Sequence, residues 1–207
     1  MFRLRLCRCL EEFGTFTSWL EAEMEFEVHI TVDPQDFNRW KELCHKLGLN
    51  PLWIKNSKGW YSQQMLCSVE YNGSFLGVKT YLRELSKQIR DAKFKVVREK
   101  VECQFIKWPS SLYHECHIKI RLPYSESEAM LDLCEANGIS SSWSLIHDVP
   151  GERKWYLTVR VYGGRAESEA RFNRAVEAIR GRFGEPDGIE KETAIFDTNK
   201  DIDKGWA

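Results

Sequence analysis

Apolar residues along this chain change period in a fixed order. Phe26, Val28, Ile30 and Val32 alternate with Glu27, His29 and Thr31, the period of a strand with one buried face. Asp33-Pro34 ends that run. Phe37, Trp40, Leu43, Cys44 and Leu47 then recur at helical spacing, with Gly48 placed as a C-terminal cap. Leu52, Trp53 and Ile54 predict a second strand, Ser57-Lys58-Gly59 a turn, and residues 63–71 a third strand stopped by Asn72-Gly73. Residues 75–92 carry a second helix with Leu82, Leu85 and Ile89 inward, and 94–105 a fourth strand.

The same order then returns: strand 115–122, helix 126–136, a strand near 142–147, strand 154–162, helix 166–182 and strand 189–196. The repetition reaches individual residues. Residues 25–106 realign on 113–196, with Cys44 on Cys134, Gly48 on Gly138, Trp53 on Trp143 and Gly73 on Gly163 at an offset of 90. Near the end the offset drifts to 91, where Glu99-Lys100 meets Glu190-Lys191 and Phe105 meets Phe196. Two copies are too few for an open solenoid, so a paired, roughly two-fold arrangement is expected.

A β-α-β-β-α-β order resembles the ferredoxin-like fold, in which an antiparallel sheet carries two helices on one face and leaves the other open. The expected architecture is therefore α+β, with tandem duplicated ferredoxin-like modules whose antiparallel sheets face each other across a cleft. Residues 24–108 form the first module, 112–197 the second, and 198–207 a polar tail with Trp206 docked on the last strand. Residues 1–23 are an N-terminal extension outside the repeat. There Phe2, Leu4 and Leu6 alternate with Arg3, Arg5 and Arg8, but Glu11, Glu12, Glu21 and Glu23 follow, unlike a secretory signal or an acid-poor transit peptide. An appended or mis-started segment and a short accessory helix both fit this stretch.

Composition narrows the partners. Thirty basic against thirty-one acidic residues give a net charge of −1, so no global field draws the chain to nucleic acid or membrane. No run approaches the roughly 18 apolar residues of a membrane span. The cysteines number seven and lack the regular spacing of a disulfide framework, which predicts reduced thiols and a cytoplasmic protein. Tryptophans such as Trp40, Trp53, Trp60, Trp143 and Trp155 are expected in the core.

Candidate chemistry lies on the polar strand face. Strand one presents Glu27, His29 and Thr31; its repeat presents Glu115, His117, Lys119 and Arg121, so a Glu-x-His pair is placed twice. The third strands add Gln64, Ser68 and Glu70, and Lys154, Tyr156, Thr158, Arg160 and Tyr162. With sheets facing, both histidines would line one cavity beside a basic and aromatic wall suited to a small anionic ligand bound by Glu27, Glu115, Tyr156 and Arg160. An open sheet face in water is also polar for no other reason, and duplication alone echoes a histidine.

His29-Ile-Thr31-Val32 resembles the motif of the two-histidine phosphoesterases. That resemblance implies a phosphodiester substrate, with His29 and His117 as general base and acid and Thr31 binding a phosphate oxygen. The second motif, His117-Ile-Lys119-Ile120, departs by placing Lys119 where a hydroxyl belongs. Tandem modules that open on His-Ile-x-Val, continue into a helix ending Leu-Gly-Leu and close on a glutamate-bearing strand also resemble the vicinal-oxygen-chelate proteins, such as glyoxalases. This second resemblance implies a divalent metal held by His29, Glu102, His117 and Glu192, with Glu99 and Glu190 as alternative carboxylates. The helices at 75–92 and 166–182 depart from that family's pattern, and Glu99 shares the parity of core-facing Val97 and Val101.

Other motifs fail. His114, Cys116 and His117 alternate in direction along a strand, so with Cys103 they build no compact metal site. The tail from Asp197 to Asp203 imitates a calcium loop, but Ile202 stands where glycine is needed. RNA-binding ferredoxin-like sheets expose aromatics on central strands. Tyr156, Tyr162 and Arg160 echo this in the second copy, while the first offers Gln64, Leu66 and Ser68, so nucleic acid is not the expected partner. The sequence supports a protein that binds a small anionic ligand or a partner in the cleft between the sheets, with no cofactor expected and catalysis not assured.

Overall fold

The computed structural model describes residues 20–59, 61–106, 108, 111–147 and 149–203; expectations for residues 1–19, Trp60 and Trp206 lie outside these. The strands are β1 (Met24–Val32), β2 (Asn50–Asn56), β3 (Gln63–Gly73), β4 (Val96–Gln104), β5 (Tyr113–Pro123), β6 (Ser140–Ser144), β7 (Glu152–Val161) and β8 (Gly188–Asp197). The helices are α1 (Phe37–Leu47) after β1, α2 (Phe75–Asp91) after β3, α3 (Ser127–Ala136) after β5 and α4 (Arg165–Phe183) after β7. A 3-10 turn at Lys200–Asp203 follows β8.

Local chemistry sets the boundaries. The Asp36 carboxylate accepts hydrogen bonds from the N–H groups of Asn38 (2.9 Å) and Arg39 (3.3 Å) and so opens α1. Gly48 closes α1 with a left-handed φ of 70°, which a side chain rarely adopts.

Two facing sheets are not what these elements build. The strands form one closed antiparallel barrel in the order β1-β3-β2-β6-β7-β5-β8-β4. Within each half the strands stack as β4-β1-β3-β2 and β8-β5-β7-β6, but the edges do not stay free. β2 pairs with β6 through Ile54–Ser144, Lys55–Trp143 and Asn56–Ser142, and β4 pairs with β8 from Lys100–Asp197 to Gln104–Glu192. An edge strand presents unpaired N–H and C=O groups, and pairing each edge with the other half satisfies both sets at once. Periodicity reports which face a residue takes and is silent about which edge meets which. The open platform that an RNA reader would need is turned inward by the same closure.

The apolar strand faces point outward, beneath the helices. Phe26, Val28, Ile30 and Val32 pack with Trp40, Cys44, Leu82 and Ile89 in one core, and Cys116, Ile118, Ile120, Trp155 and Leu157 with Met130, Phe172 and Ile179 in a second. The barrel is thus apolar outside, where helices cover it, and polar within. Among the described residues no helix is long and apolar enough to cross a membrane.

Candidate functional site

Strand alternation sends Glu27, His29 and Thr31 of β1 and Glu115, His117 and Lys119 of β5 into the lumen. They line a cavity of about 320 Å³. Register makes the two halves correspond: Glu27 stands opposite Glu102 as Glu115 stands opposite Glu192, and His29 opposite Lys100 as His117 opposite Glu190.

These side chains form a chain of contacts across the lumen. His29 Nε2 lies 3.6 Å from Glu27 and 3.1 Å from Glu102. Lys100 Nζ bridges Glu102 at 2.6 Å and Glu115 at 2.9 Å. His117 Nε2 lies 3.5 Å from Glu115 and 3.3 Å from Glu192, while its Nδ1 shares a hydrogen bond of 3.1 Å with the Thr158 hydroxyl. Glu192 in turn lies beside Glu27, which closes the series into a ring. Acid and base alternate around it except at the last junction, where two carboxyl groups meet.

The ring perturbs its own protonation. Burial alone would lower the His117 pKa, but its hydrogen bonds to Glu115 and Glu192 outweigh burial and raise it to about 10, so the imidazolium persists at neutral pH. Burial opposes the Lys100 charge as well, yet Glu102 and Glu115 together hold its pKa above the usual lysine value. Against its own burial, Glu115 is held well below the carboxylate range by Lys100, Arg160 and His117. Glu192 goes the other way, because burial and the charge of Glu102 both raise its pKa.

A second layer closes one end. Arg98 donates to both oxygens of Asp197, at 3.1 and 2.8 Å, and reaches Asp203 at 2.8 Å. The Tyr113 hydroxyl donates to Asp197 at 2.6 Å. Arg160 donates to Glu115 at 2.7 Å and also pairs with Asp203, which the 3-10 turn carries into the barrel. Sequence reasoning passed over Arg98, Lys100 and Tyr113 as site residues and met Asp197 and Asp203 only as parts of a failed calcium loop. A signal for two of them was present, since Arg98 and Lys100 share the parity of Glu102 on one strand.

The expected residues divide accordingly. Glu27, His29, Thr31, Glu115, His117, Lys119, Tyr156 and Arg160 all line the cavity. Tyr162 does not, being 67% exposed outside it. Arg121 bonds the His147 carbonyl, and Glu99 turns outward to Arg90. Lys119 is held at the cavity wall by Glu190, 2.7 Å away. Sequence reasoning left Leu52, Ile54 and Leu66 as ordinary strand residues, but they form an apolar side of the same cavity.

Of the ligand set implied by the glyoxalase-like resemblance, Glu102 and His117 are grouped with Glu115 rather than with His29 and Glu192. Among the described residues, Glu102, Glu115 and His117 each place a ligand atom within 4.8 Å of the others. The Lys100 ammonium already occupies the space between the two carboxylates, and protonated His117 has no lone pair to offer. As arranged, these donors do not fit a metal ion.

No family profile matches the chain, and no curated protein sequence matches it. Several solved structures show a distant likeness. An unknown protein from Galdieria sulphuraria is 11% identical, with 84% of this chain and 100% of that one covered and a TM-score of 0.27. The acetolactate synthase small subunit from Thermotoga maritima is 17% identical, with 84% and 95% covered and a TM-score of 0.28. The regulatory subunit of aspartate kinase from Thermus thermophilus is 11% identical, with 77% and 98% covered and a TM-score of 0.31. At such scores the likeness carries no argument about what this chain does.

Proposed function

We propose that the barrel binds a small organic molecule in its lumen, with an apolar body against Leu52, Ile54 and Leu66 and a polar head at the glutamate–histidine ring. The supporting observation is the two-sided wall of a cavity of about 320 Å³, at the lower end of the roughly 300–1,000 Å³ typical of ligand pockets.

The head group follows from electrostatics. A carboxylate or phosphate would need a cation that is not already engaged, and Arg98, Lys100 and Arg160 are each tied to two of the protein's own acids. Each histidine also faces two glutamates, which would repel a phosphodiester. The arrangement favours a neutral or cationic head over the anion expected from the sequence, and binding over phosphoester hydrolysis.

A neutral environment-sensitive naphthalene dye tests the pocket. Its emission should shift to the blue and saturate with the native protein, and Leu66→Trp, which fills the apolar side, should weaken binding at least tenfold, or about 1.4 kcal/mol. Unsaturable binding, or equal affinity in Leu66→Trp, would refute the proposal.

A further inference from the structure

The lumen places one ammonium group in a setting that its two-fold mate lacks. Lys100 Nζ sits between Glu102 of β4 and Glu115 of β5. By register, the mates of those glutamates are Glu192 of β8 and Glu27 of β1. The residue equivalent to Lys100 in sequence is Lys191, but the offset has drifted by one residue there, and on a strand a one-residue slip moves a side chain to the opposite face. Lys191 accordingly points outward and donates to Asn173 of α4 at 3.0 Å. Its place on the lumen side is taken by Glu190, which reaches away to Lys119.

The junction of Glu27 and Glu192 is therefore the two-fold counterpart of the Lys100 site, opening on a cavity with side chains 32% and 13% exposed, and it has His29 and His117 at its flanks but no ammonium between the carboxylates. Its surroundings are also incompletely satisfied. His29 Nε2, 3.6 Å from Glu27 and 3.1 Å from the Lys100-paired Glu102, makes no well-angled hydrogen bond. Bringing two carboxylates together in a low-dielectric lumen is unfavourable unless a positive charge or a shared proton lies between them.

We infer that the lumen takes a primary ammonium ligand, whose charged nitrogen occupies the position between Glu27 and Glu192 that corresponds to the Lys100 ammonium between Glu102 and Glu115. This rests on the lumen being a ligand pocket and names the class of its ligand: a small alkylamine whose carbon chain lies along Leu52, Ile54 and Leu66. The nitrogen donates hydrogen bonds to the two carboxyl groups, and its charge lowers the proton affinity of Glu192, which burial and Glu102 raise. No covalent bond is made or broken in the ligand.

The test is calorimetric titration of the whole protein with n-butylammonium chloride, its neutral analogue n-butanol, and zinc chloride, in two buffers of different ionisation enthalpy. The expected result is one saturable butylammonium site with proton release, and affinity for n-butanol at least tenfold weaker. Glu27→Gln and Glu192→Gln should each weaken amine binding at least tenfold. Glu190→Lys, which supplies the missing internal ammonium and adds a charge the site can accept, should abolish amine binding while the protein stays folded; it carries the test if the glutamine variants do not fold. Equal binding of n-butanol and butylammonium, or unchanged amine binding in Glu190→Lys, overturns the ammonium assignment. So does stoichiometric zinc binding lost in Glu27→Gln. Absence of amine binding with dye binding intact overturns the ammonium assignment alone, whereas loss of both removes the pocket as well.

Discussion

Lys100→Met removes the ammonium that joins Glu102 to Glu115 and leaves both carboxylates where water scarcely reaches, their side chains being 0% and 1% exposed. Methionine retains the unbranched stem, so the change is chiefly one of charge. Glu115 keeps Arg160 at 2.7 Å, and the penalty therefore falls mainly on Glu102. Breaking a buried ion pair by deleting one partner costs about 3–5 kcal/mol. At about 2–4 °C per kcal/mol for a chain of this size, the melting temperature should fall by roughly 6–20 °C near neutral pH.

The pH dependence gives the sharper test. In the native protein Glu102 and Glu115 have folded pKa values below their unfolded value of about 4.5, so their stabilisation is complete above that pH and is lost as pH falls through the depressed folded values. In Lys100→Met, burial acts on Glu102 without the ammonium and raises its pKa instead. The variant then gains stability as acid protonates that group, and the gap to the native protein narrows. Urea unfolding at neutral pH and near pH 4.5 would measure both ends. A gap below about 1 kcal/mol at neutral pH, the scale of a surface pair, or a gap of equal size at both pH values, would refute the reasoning.

Two further predictions follow from particular side chains. Because the folded pKa of His117 is raised from 6.5 to about 10, its contribution is complete below 6.5 and lost as pH rises through about 10; native stability should decline across that window, His117→Gln should flatten the decline, and a proton-resonance titration that shows His117 neutral at pH 7 would overturn the assignment. Trp40 and Trp155 are both fully buried, but only the Trp40 indole donates a hydrogen bond, to the Leu66 carbonyl at 3.2 Å, while Trp155 Nε1 has no hydrogen-bond partner. Trp40→Phe should thus cost about 1 kcal/mol more than Trp155→Phe in denaturant unfolding, and equal costs would contradict this.

The elements were legible because each run is periodic along its own length. Phe26 to Val32 could only be a half-buried strand, and Phe37 to Leu47 only an amphipathic helix. The duplicated Glu-x-His pair was likewise visible, since β1 and β5 carry it at equivalent positions. Closure was not legible, because the β2–β6 and β4–β8 ladders join strands far apart in sequence, and backbone pairing leaves little side-chain signature. The proposed preference for a neutral or cationic head, in place of the expected anion, likewise rests on pairings that periodicity does not report. Arg160 reads as a free cation until the β5–β7 ladder sets it directly opposite Glu115, 2.7 Å away, and the 3-10 turn brings the distant Asp203 beside it.

The two seams have a consequence for assembly. Each half has its own hydrophobic core, and outside the β4–β5 connection the halves meet through the two backbone ladders, the charges that cross between them and an exchange of apolar side chains, with Ile195 and Phe196 packed in the first core and Phe105 against the second. A nick in that connection would turn barrel closure from an intramolecular step into an association of two fragments, and the melting temperature would then rise with protein concentration. Separated fragments would each carry two unpaired edges and half of a charge ring, with Lys100 on one and Glu115 on the other. The buried charges would thus act as a recognition code, rewarding the fragment that completes the ring over a second copy of the same one.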